Sequence, residues 1–262
     1  MKVTFLGTGT SQGIPVIGCD CKVCRSDDPR DNRMRTSVVV GVNGQNILID
    51  TTPDLRMAAL ANDLRRVDAI LLTHTHADHI FGLDDVRRFN QLQNEPIDFY
   101  AGAQHMPAIE KIFGYGQYRN EQFMQDIPQL IFRTIDGPFE LAGQSIASFE
   151  LSHGRGAVLS YRIGSLAYCT DVSDMPQDII AQLQNLDVLV LGALRPQPHP
   201  KHFSLDQAIE VAKQINAKQT YFVHMAHQIS HAECDSRLPD RINLAYDGLT
   251  VDIRTDQCLS DS

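Results

Sequence analysis

The feature that most constrains this chain is a six-residue run, His-Thr-His-Ala-Asp-His at positions 74–79, directly after the apolar segment Ala69–Thr73. It places four potential metal ligands in six residues of a chain with only ten histidines. Imidazole and carboxylate groups suit divalent zinc, manganese or iron. His74 and His76 can serve one ion while Asp78 and His79 reach a second ion about 3.5–4 Å away. The run predicts a dinuclear metal site, and a metal-free histidine-rich turn is the weaker alternative because the run adjoins a buried strand.

Secondary-structure signals alternate along the chain between short β-branched runs and segments of helical period, which predicts strands and helices packed in layers. Turn signals at Asn43-Gly44 and Gly164-Ser165 predict hairpins and therefore a mixed sheet. Ser204 and Gln207 form a capping-box pattern at the start of the clearest helix. The predicted strands are Val3–Leu6, Ser37–Val42, Asn46–Asp50, Ala69–Thr73, Ser145–Leu151, Val158–Ile163, Leu166–Cys169, Val188–Leu191 and Gln219–Val223. The other predicted helices are Leu55–Leu64, Phe81–Gln93, Met106–Ile112 and Asp178–Gln184. Residues 102–136 have the weakest pattern and could form a mobile lid, a contact surface or a surface helix pair.

Composition limits the function classes. With 262 residues, of which 43% are hydrophobic and 21% charged, the chain can bury a sizeable core, and we expect a single domain over residues 1–262. The net charge of −9 disfavours nucleic acid as a partner, because it repels a phosphate backbone. Charged and amide side chains interrupt every apolar run, so we expect no membrane span, and the N-terminal run is too short for an export signal. We expect a cytoplasmic protein; a homodimer is compatible with the sequence, but no feature demands it.

Three of the six cysteines, Cys19, Cys21 and Cys24, lie within six residues of one another. A chain of this size does not need disulfides, and thiolates at this spacing favour a structural, tetrahedral zinc that is completed by one more ligand. His227, three residues after His224, is the best candidate for that ligand. Three free thiols are the alternative. The remaining cysteines have no ligand spacing and are expected to pack in the core or on the surface: Cys169, Cys234 and Cys258.

The sequence resembles the metallo-β-lactamase superfamily, whose signature is His-X-His-X-Asp-His after a strand. The resemblance implies an α/β fold, an αββα sandwich in which helices flank two mixed sheets. It also implies a dinuclear centre. One metal would be held by His74, His76 and His153, and the other by Asp78, His79 and His224. Asp171 would bridge the two metals, and Asp50 would orient the ligands.

Within that superfamily the chain most resembles the phosphoribosyl 1,2-cyclic phosphodiesterases of phosphonate breakdown. The resemblance rests on the Gly-rich turn at positions 7–13, on the three cysteines with His227, and on His202 in Lys-His-Phe-Ser-Leu. It implies a structural zinc held by the cysteines and His227, and a proton donated by His202 to the leaving oxygen. His199 is a nearby alternative donor, whereas His105 and His231 match no motif and are expected to be surface or local hydrogen-bonding residues.

These features lead us to expect a dinuclear metal-dependent phosphodiesterase that hydrolyses small phosphodiesters, including cyclic ribose phosphates. Asp78 and His202 are the expected catalytic residues. The expected cofactors are two divalent ions, zinc, manganese or iron, and one structural zinc. A transfer-RNA 3′-processing ribonuclease and a lactone or thioester hydrolase are the alternatives. A non-catalytic scaffold ranks last, because no ligand position is missing.

Overall fold

The computed structural model describes residues 1–119, 124 and 126–253. The strands in that part of the chain are β1 (Lys2–Gly7), β2 (Ser37–Val42), β3 (Gln45–Ile49), β4 (Ala69–Leu71), β5 (Ile97–Gly102), β6 (Leu130–Ile135), β7 (Phe139–Leu141), β8 (Gln144–His153), β9 (Gly156–Ile163), β10 (Leu166–Cys169), β11 (Val188–Gly192), β12 (Gln219–Val223), β13 (Ile242–Leu244) and β14 (Thr250–Asp252). The α-helices are α1 (Leu55–Ala61), α2 (Ala77–Ile80), α3 (Arg87–Gln93), α4 (Met106–Phe113), α5 (Gln177–Gln182), α6 (Leu205–Ile215) and α7 (His231–Asp235). Short 3-10 helices cover Pro29–Asp31, Leu83–Val86 and Gly114–Gly116.

The strands form two mixed sheets of seven strands each. Sheet 1 has the order β14-β1-β2-β3-β4-β5-β6, and sheet 2 has the order β13-β12-β11-β10-β9-β8-β7. Hairpins give antiparallel pairs such as β2 with β3 and β8 with β9, whereas β3 to β6 and β10 to β13 pair in parallel. The central parallel strands β4, β10 and β11 are buried along their whole length, as their continuous apolar runs indicate.

The hydrophobic core lies in three layers. Side chains of sheet 1, including Val3 and Phe5, pack against Tyr161 and Tyr168 of sheet 2. On the outer face of sheet 2, a second cluster holds the apolar faces of α5 and α6. On the outer face of sheet 1, a third cluster holds α1, α3 and α4. The layer order is therefore helix, sheet, sheet, helix, and the expected αββα fold is confirmed.

The strand topology brings the predicted ligands to one edge. Asp50 follows β3, the run at 74–79 follows β4, His153 ends β8, Asp171 follows β10 and His224 follows β12. Within each sheet these strands share one direction, so their carboxyl ends meet at the same edge. In open α/β sheets this edge is the usual place for a ligand.

All nine predicted strands are present with ends within two residues of those expected, but the predicted helix Phe81–Gln93 is wrong as one helix. It is a 3-10 helix over Leu83–Val86 that continues into α3. Sequence reasoning also missed five strands, β5, β6, β7, β13 and β14. Residues 102–136 contain α4, a 3-10 turn and β6, while residues 120–123 and 125 lie outside the described residues. No helix within the described ranges is long and apolar enough to cross a bilayer.

Candidate active site

Four predicted ligands converge to form a first ligand group. The Nε2 atom of His74 lies 2.9 Å from Nδ1 of His76, and Nε2 of His153 lies 3.3 Å from the same Nδ1 atom. One carboxylate oxygen of Asp171, Oδ2, lies 3.8 Å from the His74 nitrogen and 3.9 Å from the His153 nitrogen. Four donor atoms in mutual proximity form a set that a single ion can occupy.

The second ligand group lies on the other side of Asp171. Nε2 of His79 is 3.3 Å from Oδ2 of Asp78, and Nε2 of His224 is 3.6 Å from that same oxygen. The second carboxylate oxygen of Asp171, Oδ1, lies 3.6 Å from His79 Nε2 and 3.3 Å from His224 Nε2. The two oxygens of one buried carboxylate therefore face two separate groups of ligands, which is the geometry of a bridging ligand.

The backbone at this edge is held in a conformation that L-residues rarely adopt. Asp50, Asp171 and His224 have φ values of 64°, 59° and 58°. Non-glycine residues in this region cost about 1–3 kcal/mol each and occur most often at functional sites. Asp50 and His224 directly follow a strand and Asp171 lies two residues after one, so the left-handed turns lie at the shared edge of the two sheets.

The polar atoms of the site fit bound metal ions. Nε2 of His79 and both ring nitrogens of His224 are buried and have no hydrogen-bond partner among the described residues. Buried polar atoms are normally paired, because leaving one without a partner costs about 1–3 kcal/mol. Two of these three nitrogens, the Nε2 atoms, belong to the second ligand group, so a metal ion there would supply the missing partner.

Asp50 fixes the orientation of His79. Its carboxylate accepts hydrogen bonds from the backbone N–H of Thr73 (2.8 Å), the Thr73 hydroxyl (2.8 Å) and Nδ1 of His79 (2.7 Å). Burial alone would lower the pKa of His79, but the carboxylates of Asp50 and Asp171 outweigh it and raise that pKa well above its usual value. The bond to Asp50 assigns one proton of the ring to Nδ1, and a metal ion at Nε2 would displace the second proton of the charged ring.

His202 borders both ligand groups. Its Nδ1 atom is 3.8 Å from Asp171 Oδ2, and its ring stacks on His224 at a centroid distance of 4.8 Å. Burial, with the neighbouring His224, lowers the pKa of His202 to about 3. The alternative donor, His199, has its ring centroid 5.1 Å from that of His202. In the structure, His202 is the one of the two that groups with Asp171 and His224.

The three clustered cysteines meet His227 as a second donor set. Nδ1 of His227 is 3.3, 3.5 and 3.6 Å from the sulfurs of Cys19, Cys21 and Cys24. Ligands around a tetrahedral zinc, with bonds of about 2.3 Å to sulfur and 2.0–2.1 Å to nitrogen, lie about 3.6 Å apart. The backbone N–H of Cys24 lowers the pKa of the Cys21 thiol to about 6, whereas burial raises that of Cys24 to about 11. The geometry and the donor types fit a structural zinc.

Arg33 is a site-supporting residue that sequence reasoning missed. Its guanidinium is fully buried, pairs with Asp31 at 2.9 Å, and donates to the carbonyl oxygens of Ala226 (3.4 Å) and Ile229 (2.8 Å). It thereby holds the loop that carries both His224 and His227. The local sequence signal for this role was weak, because an arginine that follows Asp31-Asn32 is ordinarily predicted to be an exposed charged residue.

A cleft of about 240 Å³ opens beside the first ligand group. Its lining residues are His74, Thr75, His76, His105, His153, Arg155, Gly156, Ala157 and Lys201. His105 was expected to be a surface or local hydrogen-bonding residue, but it is 8% exposed, and its Nε2 atom has no partner within the described part of the chain. His231 is also buried, and its backbone N–H donates to Asp31. A larger cavity, about 490 Å³ between α1 and α3, lies on the outer face of sheet 1 and contains none of the ligands.

Comparisons with known proteins agree with this geometry. The family model described as a beta-lactamase superfamily domain matches residues 45–225. A solved structure described as a new diphosphatase from the PhnP family is 40% identical, with 97% of this chain and 98% of that chain covered and a TM-score of 0.89. Human tRNase Z, short form, is 19% identical with 97% and 100% covered and a TM-score of 0.70, which shows a shared fold.

Among curated proteins, an octanoyltransferase of Porphyromonas gingivalis is 36% identical over 252 residues, which are 95% of this chain and 51% of that protein. The chain spans about half the length of the curated relatives that it matches first. The predicted superfamily resemblance is confirmed by the family model and by the diphosphatase structure together.

Proposed function

The chain belongs to the beta-lactamase superfamily and, within it, to the PhnP family, and from that premise we propose that it is a metal-dependent phosphodiesterase of small substrates. The observation that carries the proposal is the division of the Asp171 carboxylate between two ligand groups. Oδ2 lies 3.8 Å from His74 Nε2, and Oδ1 lies 3.3 Å from His224 Nε2. Paired divalent ions suit phosphoryl chemistry, since they can clamp both the attacking and the leaving oxygen.

The nature of the substrate follows from the surroundings of the site. The net charge of −9 repels an extended polyanion. The diphosphatase, at 40% identity, acts by its description on a diphosphate. These observations favour small phosphodiesters, including diphosphates in which each phosphorus carries two ester or anhydride oxygens.

The metal ligands and their supports have distinct tasks in this proposal. His74, His76 and His153 would hold one ion and Asp78, His79 and His224 the other, with Asp171 between them. Two zinc or manganese ions bound there would lower the pKa of a coordinated water from 15.7 to about 7 and neutralise charge on the phosphoryl oxygens. Asp50 holds the Nδ1 proton of His79. Asp78 acts as a ligand that orients the reacting groups.

His202 is the proposed proton donor to the leaving oxygen. At a pKa of about 3 the free imidazole is neutral near pH 7. A bound phosphate would raise that pKa, because an adjacent negative charge favours the protonated ring. His202 would then take up its proton together with the substrate and deliver it to the oxygen that leaves, a role worth about 10²–10⁴ in rate.

The test is hydrolysis of bis(p-nitrophenyl) phosphate, a dinucleoside diphosphate and a lactone by the purified protein, before and after treatment with a chelator. We expect phosphodiester turnover that the chelator removes and that zinc or manganese restores. His202→Ala should lower kcat at least 100-fold, whereas the neighbouring His199→Ala should change it less than threefold. Lactone turnover without phosphodiester turnover would contradict the proposal and favour the lactone hydrolase.

A further inference from the structure

We infer that Arg33 is a positioning residue that couples the cysteine–histidine donor set to the second ligand group of the candidate active site. The element that links them is the loop between β12 and α7, residues 224–230, which begins with His224 and carries His227. A metal ion at either donor set would then raise the affinity of the other set for its own ion by the same factor. The inference goes beyond the proposed function, because it needs metal binding at both sets but no particular substrate.

The Arg33 guanidinium fastens the backbone on both sides of His227. Its side chain is fully buried and donates to the carbonyl oxygens of Ala226, at 3.4 Å, and Ile229, at 2.8 Å. These oxygens belong to the residue before His227 and to the second residue after it. One buried cation therefore sets the path of the backbone that presents the His227 ring to the cysteine sulfurs.

Asp31 extends this clamp to the end of the loop. Its Oδ1 atom accepts from the Arg33 guanidinium at 2.9 Å and from the backbone N–H of His231, the first residue of α7, at 2.8 Å. The Asp31 side chain is only 4% exposed. Loss of either partner would leave a buried charge uncompensated, so the ion pair opposes local opening of the loop.

Backbone contacts also fix the start of the loop, where His224 lies. The backbone N–H of His224 donates to the buried hydroxyl of Thr36 at 3.0 Å. The next residue, Met225, donates its N–H to the Thr8 oxygen and accepts from the Thr10 N–H, each at 3.0 Å. The start of the loop is therefore joined to the N-terminal turn, from which the cysteine segment extends.

Arg33 also holds the base of the cysteine segment. Its backbone N–H and carbonyl oxygen pair with those of Ile14, at 2.8 Å each, and Ile14 packs with Cys24 in an apolar cluster. The loop and the cysteine segment are thus fastened to one residue and move as one unit. An ion at either donor set restrains that unit, so the ion that binds second has less conformational freedom left to remove. Without the clamp, His224 and His227 would be restrained independently.

The test is a double-mutant cycle on the metal affinity of the cysteine cluster. Cobalt is the probe, because thiolate-to-cobalt charge-transfer absorption reports that cluster alone and needs no catalysis. Asp78→Asn changes a ligand of the second group that lies outside the loop, in α2, and should weaken cobalt binding at the cysteines at least about fivefold. In the Arg33→Lys background the same change should weaken it less than about twofold, since an ammonium lacks the planar fork that spans both carbonyl oxygens.

Arg33→Lys keeps a cation opposite Asp31, so the buried ion pair and the fold should be retained, which calorimetry checks. Arg30→Lys is the matched control, since Arg30 pairs with Asp28 at 2.7 Å and, within the described residues, donates to no atom of the loop. It should keep the full effect of Asp78→Asn. No effect of Asp78→Asn in the wild-type background would overturn the coupling, and an effect of equal size in the Arg33→Lys background would overturn the role of Arg33. Turnover of bis(p-nitrophenyl) phosphate is measured separately, so either result leaves the proposed function to its own test.

Discussion

Asp50→Asn isolates the role of one buried carboxylate at the metal site. In the native site, Oδ1 of Asp50 accepts the Thr73 backbone N–H, and Oδ2 accepts both the Thr73 hydroxyl and His79 Nδ1. The backbone N–H cannot become an acceptor, so the asparagine oxygen must face it. The new NH₂ group then faces His79, whose Nδ1 can accept only if its proton moves to Nε2. That proton occupies the nitrogen that would coordinate the second metal.

The expected consequence is a selective loss of metal affinity. Removing the partner that orients a ligating histidine typically weakens metal binding about 10–100-fold, which corresponds to about 1.4–2.8 kcal/mol. The assay is competition for zinc with a chromophoric chelator, together with metal content after dialysis. We expect the affinity of the second position to fall within that range while the thiol cluster keeps its zinc.

Asp68→Asn is the matched control, because Asp68 also accepts a backbone N–H, that of Asn46 at 2.7 Å, but lies at the opposite end of β4. It should leave the zinc affinities unchanged. Wild-type zinc affinity in Asp50→Asn would refute the tautomer argument, and so would an equal loss in both variants.

Three further predictions concern the zinc cluster, the cleft and the N-terminal turn. Cys21→Ser should remove about one zinc per chain, measured by metal analysis, and lower Tm by about 5 °C, measured by calorimetry. The control Cys234→Ser should retain all zinc. An unchanged zinc content in Cys21→Ser would argue that the thiols are free. Gly154→Ala and Gly44→Ala both place Cβ at positive φ, 64° and 77°, and should each cost about 1–2 kcal/mol in denaturant unfolding. Only the added Cβ at 154 meets Lys201, which lines the cleft beside the first ligand group, so only Gly154→Ala should also raise KM for a phosphodiester substrate severalfold; equal KM values would contradict the contact. Burial raises the pKa of Asp247 from 3.8 to about 6. Between about pH 4 and 6, the unfolded chain therefore binds fewer protons at this residue than the folded chain does. The contribution of Asp247 to the free energy of unfolding falls as pH rises through that window. Between pH 4.5 and 6.5, the slope of the free energy of unfolding against pH, measured in urea melts, should therefore be more positive in Asp247→Asn than in the wild-type protein. A more negative slope in the variant would contradict the assigned sign.

The local sequence pattern was sufficient to predict the strands and the histidine-rich run that position the candidate site. The run at 74–79 contains four potential ligands in sequence. The strands before Asp50, Asp171 and His224 are short and mainly apolar, and those before Asp50 and His224 also contain β-branched residues. The distant ligands could be proposed only from family resemblance, because no local rule pairs His153 with a residue almost 80 positions away. Their roles as metal ligands stay predictions, although the structure brings their donor atoms together.

The features that were missed depend on tertiary contacts or on weak local signals. β13 and β14 have three residues each, too few for a clear period, and they gain their hydrogen bonds from β12 and β1. β5 did carry a signal, since Ile97, Phe99 and Ala101 alternate with more exposed residues. Arg33 and His105 read as ordinary polar residues, because their burial follows from how separate loops pack.

The central claim is a paired metal centre that hydrolyses phosphodiesters, and its most direct test is metal titration of the chelator-stripped protein during bis(p-nitrophenyl) phosphate hydrolysis. The account predicts that activity reaches its plateau only at three bound ions per chain, two at the centre bridged by Asp171 and one at the cysteine cluster, and that in Cys21→Ser the plateau comes at two. Full activity of the wild-type protein with one ion at the ligand centre, or turnover that persists without metal, would contradict it.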